Sequence, residues 1–144
     1  MVSGGQTGVD RAALDVALML GILRGGWCPK GRLAEDGVIS PHYPLRESDS
    51  RDYAYRTRLN VRESDGTLIL HRGVLNGGTA LTLRCARELG RPVFVVDLEH
   101  PPELNTVHAW LRRHHIRVSI APTTKYLHLQ PSCVRLWQGI ETPL

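Results

Sequence analysis

The sequence predicts an α/β fold with a mostly parallel sheet flanked by helices. Short runs rich in β-branched residues alternate along the chain with longer helical patterns, which is the order typical of βαβ units. Two glycine-rich turns each precede an apolar helical stretch, as strand-to-helix turns do in such folds. No repeat or linker divides the 144 residues, so a single domain over residues 1–144 is expected.

Four short apolar runs predict the strands, over residues 26–28, 67–70, 93–97 and 118–121. Only Met1 and Val2 precede the first glycine turn, so a strand that positions this turn is expected to be a stub. Helical periodicity predicts four helices, over residues 9–20, 51–63, 80–89 and 103–113.

The predicted helix ends follow from capping rules. Thr7 lies three residues before Asp10, which is the spacing of a capping box for the first helix, and Gly21 is expected to end that helix. Thr79 is predicted to cap the third helix, and Gly90 is predicted to end it. His114 and His115 would lie at the C-terminal end of the last helix, where the dipole favours positive charge; they are outside the predicted site.

The net charge of +4 comes from 16 arginines and two lysines against 14 acidic residues. Guanidinium suits two-pronged binding of phosphate or carboxylate, which predicts an anionic ligand, although a biased genome composition explains the same excess. The arginines are scattered, no nucleic-acid motif is present and aromatic residues are few, so no nucleic-acid partner is expected.

No apolar run reaches the roughly 20 residues that span a bilayer, and no leader-like segment precedes the first motif, so a cytoplasmic protein without membrane contact is predicted. The three cysteines show neither Cys-x-x-Cys nor Cys/His spacing. We therefore expect reduced thiols, with no structural zinc and no other metal site. The cysteines are Cys28, Cys85 and Cys133.

The two glycine-rich turns, residues 3–8 and 76–79, are the candidate ligand sites. Glycine lets the backbone turn tightly beside a ligand, and the free amides of a helix start favour phosphate. Two such turns predict a small anionic ligand with a phosphate at one end or a charged group at both. The candidate contacts are Gly4, Gly5, Gln6, Thr7, Gly8 and Arg11 at the first turn, and Asn76, Gly77, Gly78 and Thr79 at the second.

Residues 29–52 read as a long polar loop, and loops of that length in compact domains are usually functional or disordered. Lys30 and Arg32 follow a predicted strand, so they are candidates to neutralise ligand oxygens. The alternative is that they are solvated, or that Glu35 and Asp36 pair with them in weak salt bridges.

Five segments in order resemble the molybdenum carrier family: SGGQTGVDRAALDVAL, GWCPKGRLAEDG, YPLRESDSRDYAYRTRLNV, ESDGTLIL and NGGTALT. The resemblance covers residues 3–98 and implies a Rossmann-like, three-layer fold related to lysine-decarboxylase-like phosphoribohydrolases. It also implies a homo-oligomer that binds, protects and carries or stores molybdenum cofactor, a phosphorylated pterin, without converting it. Molybdoenzymes would be the partners that receive the cofactor.

The sequence departs from these relatives at two places. Residues 119–124 replace an Asn-Val-Ala-Gly-Pro-Arg run that we associate with the family, so the ligand could differ. The related hydrolases carry a glutamate soon after the second glycine turn, whereas residues 80–83 here contain no carboxylate. A protein without enzymatic activity is therefore predicted, with a nucleotide hydrolase or a non-catalytic sensor of a nucleotide derivative as alternatives.

Overall fold

The computed structural model describes residues 1–117 and 119–120. The helices are α1 (Val9–Met19), α2 (Tyr53–Arg62), α3 (Gly77–Glu88) and α4 (Leu104–Arg113). The strands are β1 (Trp27–Cys28), β2 (Leu33–Ala34), β3 (Gly37–Val38), β4 (Arg46–Glu47), β5 (Gly66–His71), β6 (Val93–Asp97) and β7 (Ser119–Ile120). The predicted α/β class is confirmed, and no described helix is long and apolar enough to cross a membrane.

A parallel sheet with the strand order β6-β5-β7 forms the centre of the fold. Thr67 at the start of β5 lies opposite Val93, and His71 at its end lies opposite Asp97. The first five residues of β5 are buried. Burial on both faces is typical of a parallel strand, and it explains why β5 reads as an apolar run and not as an alternating one.

Helices cover both faces of this sheet. Leu68 and Leu70 of β5 pack in one cluster with the apolar face of α1 and with Val107 of α4. A second cluster joins α2 to α3 through Val61 and Cys85, and Val93 packs against it. Val93 lies opposite Thr67, the neighbour of Leu68, and neighbouring residues of a strand face opposite ways. The two clusters therefore lie on opposite sides of the sheet, which gives three layers.

The expected N-terminal stub is present. Val2 forms a parallel bridge with Gly25, and the N–H of Ser3 donates to the Gly25 carbonyl at 2.9 Å. The stub therefore brings the chain directly to the first glycine turn.

Further along the chain, β1 pairs in parallel with β4. The buried Asn60 side chain of α2 accepts from the Trp27 N–H at 2.7 Å and donates to the Trp27 carbonyl at 2.9 Å.

Four sequence predictions need correction or limits. The segment 29–52 is not a plain loop, since it contains the antiparallel β2–β3 hairpin and β4, whose two-residue strands are too short to show periodicity. Gly8, not the Thr7 side chain, occupies the cap position of α1, and α3 begins at Gly77 with Asn76 at its cap, so Thr79 lies inside the helix. The ends of the predicted strand 118–121 and all residues after 120 lie outside the described part.

Two predicted helix ends are confirmed. Gly21 and Gly90 follow the C-caps of α1 and α3 with φ of 67° and 62°. After each glycine the next N–H reaches back into the last helical turn, to Ala17 and Ala86 respectively, both at 2.9 Å. This is the geometry that glycine favours at a helix end because it has no Cβ.

Candidate functional site

Both glycine turns follow the carboxyl end of a parallel strand segment. The stub at Val2 leads into residues 3–8 and α1, and β5 leads through His71 to residues 76–79 and α3. Open α/β sheets bind ligands at this edge. The predicted placement of the turns is therefore correct, but the two turns differ in what their amides contact.

The first turn is filled by groups of the protein itself. The carboxylate of the buried Asp10 accepts backbone hydrogen bonds from Gln6 and Gly4. The N–H of Gly5 donates to the Ser3 hydroxyl at 3.2 Å, and that hydroxyl donates to the Asp10 carbonyl at 2.8 Å. An external anion would therefore have to displace Asp10 to reach the amides of Gly4 and Gln6.

A buried ion pair lies beneath this turn. The Nη1 atom of Arg56, on α2, lies 3.5 Å from Oδ2 of Asp10, and the two side chains are only 12% and 9% exposed. Burial raises the pKa of Asp10, and the Arg56 charge together with the backbone hydrogen bonds works against that increase. The turn therefore lies above a buried carboxyl group and guanidinium at close range.

Sequence analysis did not identify Arg56 as a site residue. The spacing indicates that Arg56 faces inward: it is three and four residues from Leu59 and Asn60, which are both buried on α2. An arginine on the inward face of a helix needs an anionic partner. No sequence pattern identifies Asp10, 46 positions earlier in the chain, as that partner.

Gly4 and Gly5 are needed for this internal packing. A Cβ built on Gly4 would overlap Nη1 of Arg56 and lie 3.0 Å from Oδ2 of Asp10. Gly5 has φ of 67°, and a Cβ there would overlap the Leu45 side chain. The two glycines thus let the turn close over the ion pair, whether or not a ligand also contacts them.

The β2–β3 hairpin covers the first turn through three predicted site residues. Gln6 Nε2 donates to the Leu33 carbonyl at 3.0 Å, and the Thr7 hydroxyl lies 3.5 Å from a Glu35 carboxylate oxygen. Arg11 binds both carboxylate oxygens of Asp36 and also donates to the Gly5 carbonyl at 3.1 Å. The Arg11 hydrogen bond lowers the pKa of Asp36.

The two candidate cations of the long segment have different positions. Arg32, with φ of 53°, donates to the carbonyls of Ile39, Leu45, Ser40 and Tyr43 at 2.8 to 3.0 Å. Its guanidinium holds the segment together, and the pairing considered for it with Asp36 is wrong because Asp36 binds Arg11. Lys30 is exposed, so its ammonium group is accessible to a ligand.

The second turn is open. Gly77 and Gly78 are exposed, and a Cβ built on either would meet no atom of residues 1–117 and 119–120 within 4 Å. The N–H groups of Gly77, Gly78 and Thr79 are at the helix start, where an α-helix supplies no acceptor, and the Asn76 side chain does not cap them. These amides, at the positive end of the α3 dipole, remain suited to an anion.

Polar side chains at the ends of β5 and β6 lie at the same edge of the sheet. His71 Nδ1 is 2.9 Å from the Gly73 carbonyl, and Asp97 lies 3.2 Å from His100 Nδ1. A hydrogen bond from the Glu99 N–H lowers the pKa of Asp97. Within residues 1–117 and 119–120, no three His, Cys, Asp or Glu side chains group together to hold a metal ion.

Comparison with known proteins shows the family to which this chain belongs. Residues 1–122 match the model of cpYpsA, the circularly permutated YpsA SLOG family, and the chain belongs to that family. Its structure is similar to a crystal structure of the putative molybdenum carrier protein of Syntrophus aciditrophicus SB, with 40% identity and a TM-score of 0.84. That match covers 96% of this chain and 89% of the other, and it confirms the resemblance predicted from the five motifs. Comparison with curated proteins gives no match.

Proposed function

We propose that this protein binds molybdenum cofactor and carries or stores it without converting it. The observation that supports the proposal is the open α3 start, where residues 77–79 offer backbone amides and no side chain of the described residues lies close to a Cβ placed on Gly77 or Gly78. A terminal phosphate is the group that such a helix start favours. The putative carrier named above, at 40% identity, supports the choice of cofactor.

The first turn would receive the other end of the ligand. The amides of Gly4 and Gln6 are occupied by Asp10, so the first turn is unsuited to a second phosphate. The Asp10 carboxylate and the side-chain carbonyl oxygen of Gln6 can instead accept hydrogen bonds from N–H groups of a pterin. The β2–β3 hairpin would shield that ring from water, and the exposed Lys30 would balance oxyanion charge. We further propose a cytoplasmic homo-oligomer that delivers the cofactor to molybdoenzymes.

Retention of purified molybdenum cofactor tests this proposal. The protein is mixed with the cofactor, separated on a desalting column and assayed for molybdenum and for the fluorescent oxidised pterin. Retention well above that of an unrelated protein of similar pI supports carriage. Retention equal to that of the unrelated protein refutes it.

A matched pair of variants tests the phosphate site. Gly78→Asp places a carboxylate in the open space beside the α3 amides, and Gly78→Asn adds nearly the same volume without the charge. Both side chains would enter open space at a residue without positive φ, so both variants are expected to fold, and the aspartate also interacts favourably with the helix dipole. We expect at least a tenfold larger loss of cofactor retention for the aspartate than for the asparagine. Equal losses would remove the α3 amides from the phosphate site.

A nucleotide hydrolase is the second candidate, and the Asp10–Arg56 pair favours it. The predicted absence of activity rested on the missing carboxylate after Thr79, yet a carboxylate and a guanidinium meet at the other glycine turn, 3.5 Å apart. A carboxylate there can stabilise the oxocarbenium-like transition state when water replaces the base on the sugar carbon. Release of free base from nucleoside monophosphates that Asp10→Asn abolishes would establish this activity, and no release would exclude it for those substrates.

A further inference from the structure

The β2–β3 hairpin is attached to the first glycine turn by its tip. Glu35 and Asp36 form the turn between its two strands, and they face Thr7 and Arg11 at the start of α1. We infer that this hairpin is a hinged lid over the first turn, latched by the ion pair between Arg11 and Asp36. The inference concerns regulation of the site in the proposed function, and it rests on that function only for the identity of what enters.

The two ends of the hairpin are held with very different strength. At the base, Arg32 bonds four backbone carbonyls, its own carbonyl accepts from the Ile39 N–H at 2.7 Å, and the Ile39 side chain is fully buried. At the tip, the Arg11 and Asp36 side chains are 23% and 49% exposed. Exposed ion pairs stabilise weakly and are screened by salt, so the tip opens while the base stays fixed.

Opening would uncover the buried polar pair and one thiol. Gln6, whose side chain is bonded to the Leu33 carbonyl, is in the turn that covers Asp10 and Arg56. Ala34, in the first strand of the hairpin, packs against the cluster that contains the fully buried Cys28. A ligand ring would therefore reach the first turn when the hairpin lifts, and the same movement would withdraw Ala34 from the cluster that buries Cys28.

Alkylation of Cys28 provides a direct measure of the opening. The full-length protein is treated, without ligand, with the uncharged reagent iodoacetamide, and the modified peptides are quantified by mass spectrometry. A buried thiol reacts only through opened states. Cys85 lies in a different buried cluster between α2 and α3, so its rate reports general loosening of the fold.

The Asp36→Ala variant removes the latch, and Asp49→Ala is its control because it removes the same charge from an exposed residue of the same segment. We expect Asp36→Ala to accelerate Cys28 alkylation about two- to fivefold, with Asp49→Ala and the Cys85 rate unchanged, because loss of an exposed ion pair has an effect of that size. Salt at 1 M should accelerate Cys28 alkylation in the wild type and leave the Asp36→Ala rate unchanged.

Equal Cys28 rates in the wild type and in Asp36→Ala would overturn the lid, as would a rate below detection in every variant. An equal increase at Cys85 would also overturn it, because the fold as a whole would then be loosened. Since no ligand is present, failure of the protein to retain molybdenum cofactor would leave these results as they are. Failure of the lid and failure of the proposed function are thus separate outcomes.

Discussion

Replacing Gly4 by alanine tests whether the first turn is closed over the Asp10–Arg56 pair. The added methyl group would overlap Nη1 of Arg56 and lie 2.6 Å from its Cζ, and the φ of Gly4 is one that alanine tolerates. The guanidinium must therefore move away, and Asp10 then loses its buried counter-charge. Overpacking of a buried site costs about 1–3 kcal/mol, and this range is the loss we expect.

Gly78→Ala is the matched control at the second turn. The new Cβ meets no atom of the described residues within 4 Å, and alanine restricts the unfolded chain more than glycine does. The free energy of unfolding is therefore expected to increase by about 0.4–1 kcal/mol. Urea titration followed by circular dichroism measures both variants, and with an m value of about 2 kcal/mol/M the Gly4→Ala midpoint should fall by roughly 0.5–1.5 M. Equal midpoints for the two variants would refute the distinction between a closed and an open turn.

Three further substitutions give expected outcomes of different kinds. Arg32→Lys should lower the free energy of unfolding by about 2 kcal/mol, because lysine cannot bond four separated carbonyls, and urea titration measures the loss. The folded-state pKa of Asp10 is raised above 3.8, so the wild type should lose stability relative to Asp10→Asn as pH rises from 3.8 through that raised pKa. Tyr43→Phe should cost about 1 kcal/mol at neutral pH because the hydroxyl donates to Asp15 at 2.6 Å. The pKa of the Tyr43 hydroxyl is raised from 10.0 to about 12. The greater stability of the wild type over Tyr43→Phe should therefore disappear as pH rises between these values.

Each of these outcomes can be contradicted. An Arg32→Lys variant as stable as the wild type would show that the carbonyls find other donors. A stability difference between the wild type and Asp10→Asn that does not change with pH would mean that burial leaves the Asp10 pKa unchanged. A Tyr43→Phe variant that keeps the same stability difference up to pH 12 would contradict the raised tyrosine pKa.

The elements that sequence reasoning located best are those whose signal is local. The apolar run of β6 gave its bounds without error, at Val93–Asp97, and glycine after α1 and α3 gave their ends. A strand buried on both faces is uniformly apolar, and a residue at positive φ after a helix favours glycine, so each signal lies within a few residues. The hairpin within residues 29–52 was missed because each of its strands has only two residues.

The candidate site was predicted less well because its partners are distant in the chain. Gly4 and Gly5 are predicted ligand contacts, and in the structure they allow close packing against the Arg56 and Leu45 side chains. The charge of Arg32 predicts a ligand contact, yet its guanidinium donates to backbone carbonyls 7 to 13 positions away. Composition and spacing specify which groups a turn carries, but not what fills the space in front of it.

The sequence alone determined the α/β class, the order of the helices and of the strands other than β2, β3 and β4, the family and the two glycine turns, since all of these depend on local patterns and on motif order. Only the tertiary structure decided that the turns are unequal: Asp10 and Arg56 fill the first, and the second is open within the part of the chain that the structure describes. The physical reason is that a backbone amide binds whichever acceptor the fold places within hydrogen-bonding distance. Here that acceptor is a carboxylate held by a guanidinium from another helix.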